Sequence, residues 1–223
     1  MASSKNEARR GHDRDSQEPR LRVYTDGSGL NDRITAAAIG YNSSQTGILG
    51  TTDDAQVYHG EIAAIEQATR LLLNSTANLD PLRERTAVIY TNNQAAIRTL
   101  AKGDPVKDQA IVRNILIAAE TLAKRRVPLL LKWIPGHTKI NGNEMADQRA
   151  KHSASIVGPM ENPAIRYLSA IRGLIRRHTA KEWSRRWSQG SRGNHTRQLN
   201  AEPSPTVRRL HSGRGKAHSA ILT

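Results

Sequence analysis

The chain has 223 residues, no cysteine, no phenylalanine and a formal net charge of +14. The length fits one domain with extensions, or two small ones. Zero cysteine excludes disulfide scaffolds, thiolate zinc sites, iron–sulfur clusters and thiol catalysis. Any metal must be held by carboxylates, imidazoles or backbone, which favours hard ions such as Mg²⁺ or Mn²⁺. No apolar run approaches a membrane span, and the polar N-terminus has no signal-peptide pattern. The expectation is an intracellular protein, nuclear or cytoplasmic, with no membrane partner. A basic excess of this size points to a polyanion, nucleic acid first.

The charge is unevenly placed: +1 over residues 1–20, +3 over 21–157 and +10 over 158–223. Residues 1–20 are polar and lack the apolar surface to order themselves, so their composition predicts a disordered extension. From Leu21 the pattern changes. LRVYT alternates and is rich in β-formers, and DGSG follows as a turn signal. ITAAAIGY and GILGTT predict two more strands. EIAAIEQATRLLL sets Ile62, Ile65 and Leu72 on one helix face. TAVIYT is a buried strand and NQAAIRTLA a short helix. AIVRNILIAAETLAKRR is a longer helix, VPLLLKWI a strand and GNEMADQRAKHSA a closing helix.

Hairpins give antiparallel pairs, and strand–helix–strand crossovers give parallel pairs. The order therefore predicts an α/β fold: a five-stranded mixed sheet, three antiparallel strands then two parallel, with helices on both faces. It spans residues 21–157. Residues 158–187 predict a basic amphipathic helical segment, with Ile165, Leu168, Ile171, Leu174 and Ile175 as its apolar stripe. Residues 188–223 predict a disordered basic tail.

Four places carry chemistry: Asp26 after the first strand, Glu61 at the start of the long helix, TNNQAA from Thr91, and WIPGHTKINGNEMAD with His137 and Asp147. Each alone has a bland reading as a turn, a helix-dipole partner, a loop residue or a solvated charge. Together they have a geometric reason. Ligands bind beyond the carboxyl ends of parallel strands where strand order switches. Asp26 and the TNN segment both end strands, and carboxylates from two helices can converge there. Such a cluster is costly unless cations occupy it.

TDGS, HGE before an apolar helix, T-x-x-Q-A-A, and W-I-P-G-H followed by G-N-E-x-A-D resemble, in order and spacing, a type 1 ribonuclease H domain. The ending is most similar to the ribonuclease H portion of fungal non-LTR retrotransposon reverse transcriptase polyproteins. The resemblance implies hydrolysis of the RNA strand of RNA–DNA hybrids with two Mg²⁺ or Mn²⁺ ions. It assigns Asp26, Glu61, residue 92 and Asp147 to the metals, and His137 to turnover on a mobile loop. It assigns Gly27, Ser28, Gly29 and Gln94 to the hybrid, whose wide minor groove displays 2′-hydroxyls.

One position departs from the family. Its third catalytic Asp is Asn92 here, and the neighbour is Asn93. The amide is neutral, so the second metal position is expected to be weakened and turnover impaired. The alternatives are a non-catalytic hybrid-binding module and a retroelement polyprotein fragment serving assembly. Trp133 is expected in the core. His59 has no assignment. Trp183 and Trp187, at i and i+4, either stack on bases or pack on the domain. The sequence gives no oligomeric state.

Overall fold

The structure, a computed structural model, describes residues 4–17, 20–40, 42–77, 85–102, 109–156 and 168–190. Its elements in chain order are α1 (Lys5–Asp15), β1 (Leu21–Leu30), β2 (Arg33–Ile39), β3 (Ser44–Thr51), α2 (Val57–Ser75), β4 (Ala87–Thr91), α3 (Gln94–Lys102), α4 (Gln109–Lys124), β5 (Leu129–Trp133), α5 (Asn141–Ser155) and α6 (Leu168–Gln189). The strands form one five-stranded sheet in the order β3-β2-β1-β4-β5. β1 pairs antiparallel with β2, and β2 with β3. β4 runs parallel to both β1 and β5. This is the mixed sheet the element order predicts.

The principal core lies between one face of the sheet and helices α2 and α4. Val23, Ala36, Ala38, Ala87 and Ile89 meet Ile62, Ile65, Leu72, Ile111, Ile115 and Leu122 there. Period-2 strand faces meet period-3.6 helix stripes, so burial fixes the register of both. On the other face α5 packs against β1, β2 and β3. It is tied there by Thr35, whose buried hydroxyl donates to the Ala150 carbonyl at 2.7 Å. Tyr24, Val88, Tyr90, Ile134 and Ile140 form a second cluster.

Three sequence expectations need correction. First, DGSG is not a turn. β1 continues through it to Leu30, with Asp26 opposite Ala37 and Gly29 opposite Ile34 in β2. The reversal falls at Asn31 and Asp32, both at left-handed φ (51° and 58°), the conformation that Asn and Asp tolerate best after Gly. Gly27 is required by packing: a Cβ on it would lie 2.4 Å from the Glu61 amide nitrogen.

Second, the N-terminal extension is not without structure. Lys5–Asp15 is helical, with the Ser4 hydroxyl accepting from the Glu7 N–H at 3.2 Å as its cap. Composition is a poor guide here because polar contacts, not apolar burial, hold this helix.

Third, the basic helix runs over Leu168–Gln189 and is not amphipathic along its length. At 3.6 residues per turn, Ile171, Leu174 and Ile175 lie on the side roughly opposite Trp183 and Trp187. Trp183 is 59 % exposed. Of the expected tail over residues 188–223, Ser188 and Gln189 belong to α6, and residues 191–223 lie outside the described residues. No helix among the described residues is long and apolar enough to cross a membrane.

Candidate active site

β1 and β4 pair in parallel as far as Thr25 and Thr91. Beyond that point the two strands part, and their next residues, Asp26 and Asn92, face the same opening. The Asn92 Nδ2 donates to Asp26 Oδ1 at 2.8 Å. The orientation is fixed by charge, since an amide meeting a carboxylate must present its N–H. Asp26 is 4 % exposed. Burial pushes its carboxyl up to about 6, with Asp147 adding repulsion; the Asn92 hydrogen bond and the charges of Lys151 and His137 oppose the rise.

Glu61 enters from the first turns of α2 and is 6 % exposed. The helix can bring it this close only because two glycines face each other: a Cβ on Gly60 would lie 3.4 Å from the Gly27 Cα and 2.5 Å from the Thr35 carbonyl oxygen. Burial first, then the Asp26 charge, pushes the Glu61 carboxyl up to about 8, although Asn93 and the Gly27 backbone hydrogen-bond to it. Its Oε2 is buried with no hydrogen-bond partner.

Asp147 projects from α5, and Lys151 one turn later reaches its Oδ2 at 2.7 Å. His137 lies in the loop between β5 and α5, at φ 56°. The neighbouring Gly136 packs on the Asn92 side chain: a Cβ there would lie 3.5 Å from Nδ2. Asp26 thus meets Asn92 directly and lies within the electrostatic reach of Glu61, Asp147 and His137.

The expected hybrid-contact residues differ in exposure. Ser28 is buried, and Gly29 is exposed at the end of β1. Gln94 opens α3, with its Oε1 accepting from Arg98 at 3.4 Å.

Several neighbours have roles that motif reading did not give them. Asn93 Oδ1 accepts from the Ala96 N–H at 3.0 Å and caps α3. The Asn at a strand–helix junction was the available signal. Trp133 is only half-buried, and its indole N–H donates to the Asn92 carbonyl at 3.0 Å, fixing that backbone. His59 is buried, with Nδ1 accepting from the Gln56 N–H at 2.8 Å, so it braces the start of α2.

The acidic residues fit one divalent cation better than two. An orphaned, buried Glu61 oxygen beside a buried Asp26 is what a cation would satisfy. The other corners are already engaged: Asn92 is neutral and turns its N–H to Asp26, and Lys151 takes Asp147. Among the described residues no group of three or more His, Asp or Glu side chains is arranged to hold an ion.

The sequence model of the RNase H family matches residues 18–155. The chain belongs to the RNase H family. No curated protein matches it. Among solved structures, the RNase H domain is similar to LC11-RNase H1, solved in complex with an RNA/DNA hybrid, at 15% identity. That similarity covers 60% of this chain and 99% of the other, with a TM-score of 0.45. It is also similar to RNase H1 from the halophilic archaeon Halobacterium salinarum NRC-1, at 16% identity over 61% of this chain and 98% of the other, with a TM-score of 0.45.

Proposed function

We propose that this RNase H domain binds RNA–DNA hybrids and hydrolyses the RNA strand slowly, with Asn92 as the limiting residue. The observation that carries the reading is the 2.8 Å hydrogen bond from Asn92 Nδ2 to Asp26 Oδ1. An acid at that position would add a charge to the site; the amide instead consumes one Asp26 oxygen.

Asp26 and Glu61 are the residues that would hold a divalent ion, Mg²⁺ or Mn²⁺. Such ions activate the attacking water and stabilise the leaving oxygen. A second ion would draw on Asp26 with Asp147, after Lys151 has moved away. The chain's own contribution is charge and position. Three carboxylates stand where the family has four, so cation affinity falls. Even changes behind the ligands typically cost about 10–100-fold in metal affinity or activity. Gly29 and Gln94, at the edge of the opening, would meet the hybrid's minor groove, and His137 would assist product departure.

The test is cleavage of an end-labelled hybrid with Mg²⁺ and with Mn²⁺ by the chain as it stands, by Asn92→Asp and by Glu61→Gln. The expected order is Asn92→Asp fastest, the natural chain slower by at least about tenfold, and Glu61→Gln silent. Equal turnover of the first two overturns the reading.

A second reading, a non-catalytic hybrid-binding module, is favoured by the combined Asn92–Asp26 and Lys151–Asp147 contacts. It predicts hybrid binding with no cleavage by the natural chain in either metal. The motif likeness to retroelement polyproteins extends the proposal to an origin in such an element. A purely assembly-serving fragment would bind neither hybrid nor duplex in a filter assay. The substrate implies action in the nucleus or cytoplasm.

A further inference from the structure

Helix α1 precedes the segment that matches the RNase H family, which begins at residue 18. It is nevertheless tied to the sheet by a buried carboxylate. Asp15 is 5 % exposed. Its Oδ2 accepts from the Tyr90 hydroxyl at 2.8 Å and from Lys132 Nζ at 2.6 Å. Its Oδ1 accepts from Arg20 Nη1 at 2.9 Å. Arg22 donates to the Asp15 and Ser16 carbonyls at 2.8 and 3.0 Å, closing the end of the helix. Burial alone would raise the Asp15 carboxyl, but the hydrogen bonds from Lys132 and Tyr90 and the charges of Lys132 and Arg20 hold it below the ordinary carboxylate value.

One turn earlier, His12 Nε2 and the Tyr24 hydroxyl share a hydrogen bond at 2.8 Å. The His12 ring meets Tyr90 edge-on at 5.0 Å, and Tyr90 stacks on Tyr24 at 5.1 Å. α1 therefore lies over the two tyrosines.

These rings belong to the second cluster, with Val88, Ile134 and Ile140. Ile134 and Ile140 are the two ends of the loop that carries His137. The Tyr24 ring also lies against the first turn of α5, where a Cβ on Gly142 would come within 2.3 Å of it. α5 carries Asp147. The floor of the loop and the seat of the last carboxylate are thus one small cluster, and its outer side is roofed by α1. A cluster this small has little apolar area of its own.

We propose that α1, through Asp15 and His12, is a positioning element for the acidic site, holding the Tyr24–Tyr90 pair that supports the His137 loop and the start of α5. The inference rests on His137 and Asp147 belonging to the site, but not on turnover. A helix that merely added stability would protect all elements alike. A positioning helix protects the loop and α5 in particular, because local opening follows the contacts each segment makes.

The experiment is hydrogen–deuterium exchange on the full chain and on Asp15→Asn and His12→Ala, with Tyr24→Phe as the conservative variant that keeps the ring. The expected result is exchange at least about tenfold faster over residues 134–147 in Asp15→Asn and His12→Ala. α2 and α4 should change by less than about twofold, and Tyr24→Phe should fall between. Mn²⁺ affinity, followed by electron paramagnetic resonance, should weaken in parallel. Uniform acceleration across α2, α4 and 134–147, or unchanged exchange at 134–147 in both variants, overturns the proposal. Loss of hybrid cleavage alone would test the proposed function and leave this exchange pattern standing.

Discussion

Asn92 holds Asp26 through a single N–H···O contact of 2.8 Å, where two acids would repel. The bond makes the metal-free site more comfortable and the metal-bound site less so. Asn92→Asp should therefore shift both properties in opposite directions. Mn²⁺ affinity should rise by about 10–100-fold, and metal-free stability should fall by about 1–3 kcal/mol through the missing bond and the added repulsion. Paired Mn²⁺ titration and urea unfolding check this; a variant that gains no affinity refutes the role given to residue 92.

The site should also make metal-free stability fall with pH. Asp26 is pushed up from 3.8 to about 6 and Glu61 from 4.5 to about 8. Both protons are held more tightly by the folded form. Their contribution to stability is thus full below the unfolded values and is lost as pH rises through about 6 and then about 8. Urea midpoints without metal should decline across that interval. Glu61→Gln should flatten the upper part of the decline, and saturating Mn²⁺ should reduce it, since a cation replaces the protons.

Gly27→Ala should be costly out of proportion to one methyl group. The new Cβ would meet backbone 2.4 Å away, and a helix backbone cannot swing aside as a side chain can. Overpacking typically costs about 1–3 kcal/mol, and this substitution belongs at the upper end. It should also displace Glu61 and weaken Mn²⁺ binding. Denaturant midpoints and the Mn²⁺ titration together separate this from a simple loss of stability.

Lys151→Met tests whether the ammonium on Asp147 competes with cations. The pair is an i,i+4 contact with the lysine half exposed, a type typically worth about 0.3–0.5 kcal/mol. Stability should hardly move. The Mn²⁺ titration midpoint should drop, because Asp147 is released. An unchanged midpoint would mean that Lys151 gives way at no cost.

Truncation after residue 167 should lower hybrid affinity and flatten its salt dependence. The removed α6 carries Arg172, Arg176, Arg177, Lys181, Arg185 and Arg186 against Glu182. Glu182 engages Arg185 and Arg186, so Arg172, Arg176 and Lys181 are the stronger phosphate donors. For every phosphate that the shortened chain no longer neutralises, the log–log salt slope should shrink by about 0.9. An unaltered slope would remove the helix from the binding surface.

How far the sequence could be read differs by element. The strands of the central sheet and helices α2, α4 and α5 follow from periodicity, because burial on one face imposes it. The end of β1 is misleading, because Gly27 and Gly29 look like turn residues when α2 packs against them. α1 is invisible for another reason. Ala8 is its one buried apolar residue, and its partners Tyr90 and Lys132 stand 75 and 117 positions from Asp15. No local pattern encodes such a contact. For the candidate site, motif spacing singled out Asp26, Glu61, Asn92, His137 and Asp147. What it could not supply is who neutralises whom: the Asn92 amide on Asp26 depends on where β1 and β4 part. Lys151, by contrast, stood in plain view four residues after Asp147.

β1 outruns its parallel neighbour. After Thr25 it has β2 on one side and no strand among the described residues on the other. A ribbon anchored along one margin presents main-chain atoms, and main chain is common to every residue. Asn92 bonds the Asp26 side chain and not that margin. On the proposed function, the hold on a double helix and the chemistry at position 92 would thus rest on different atoms.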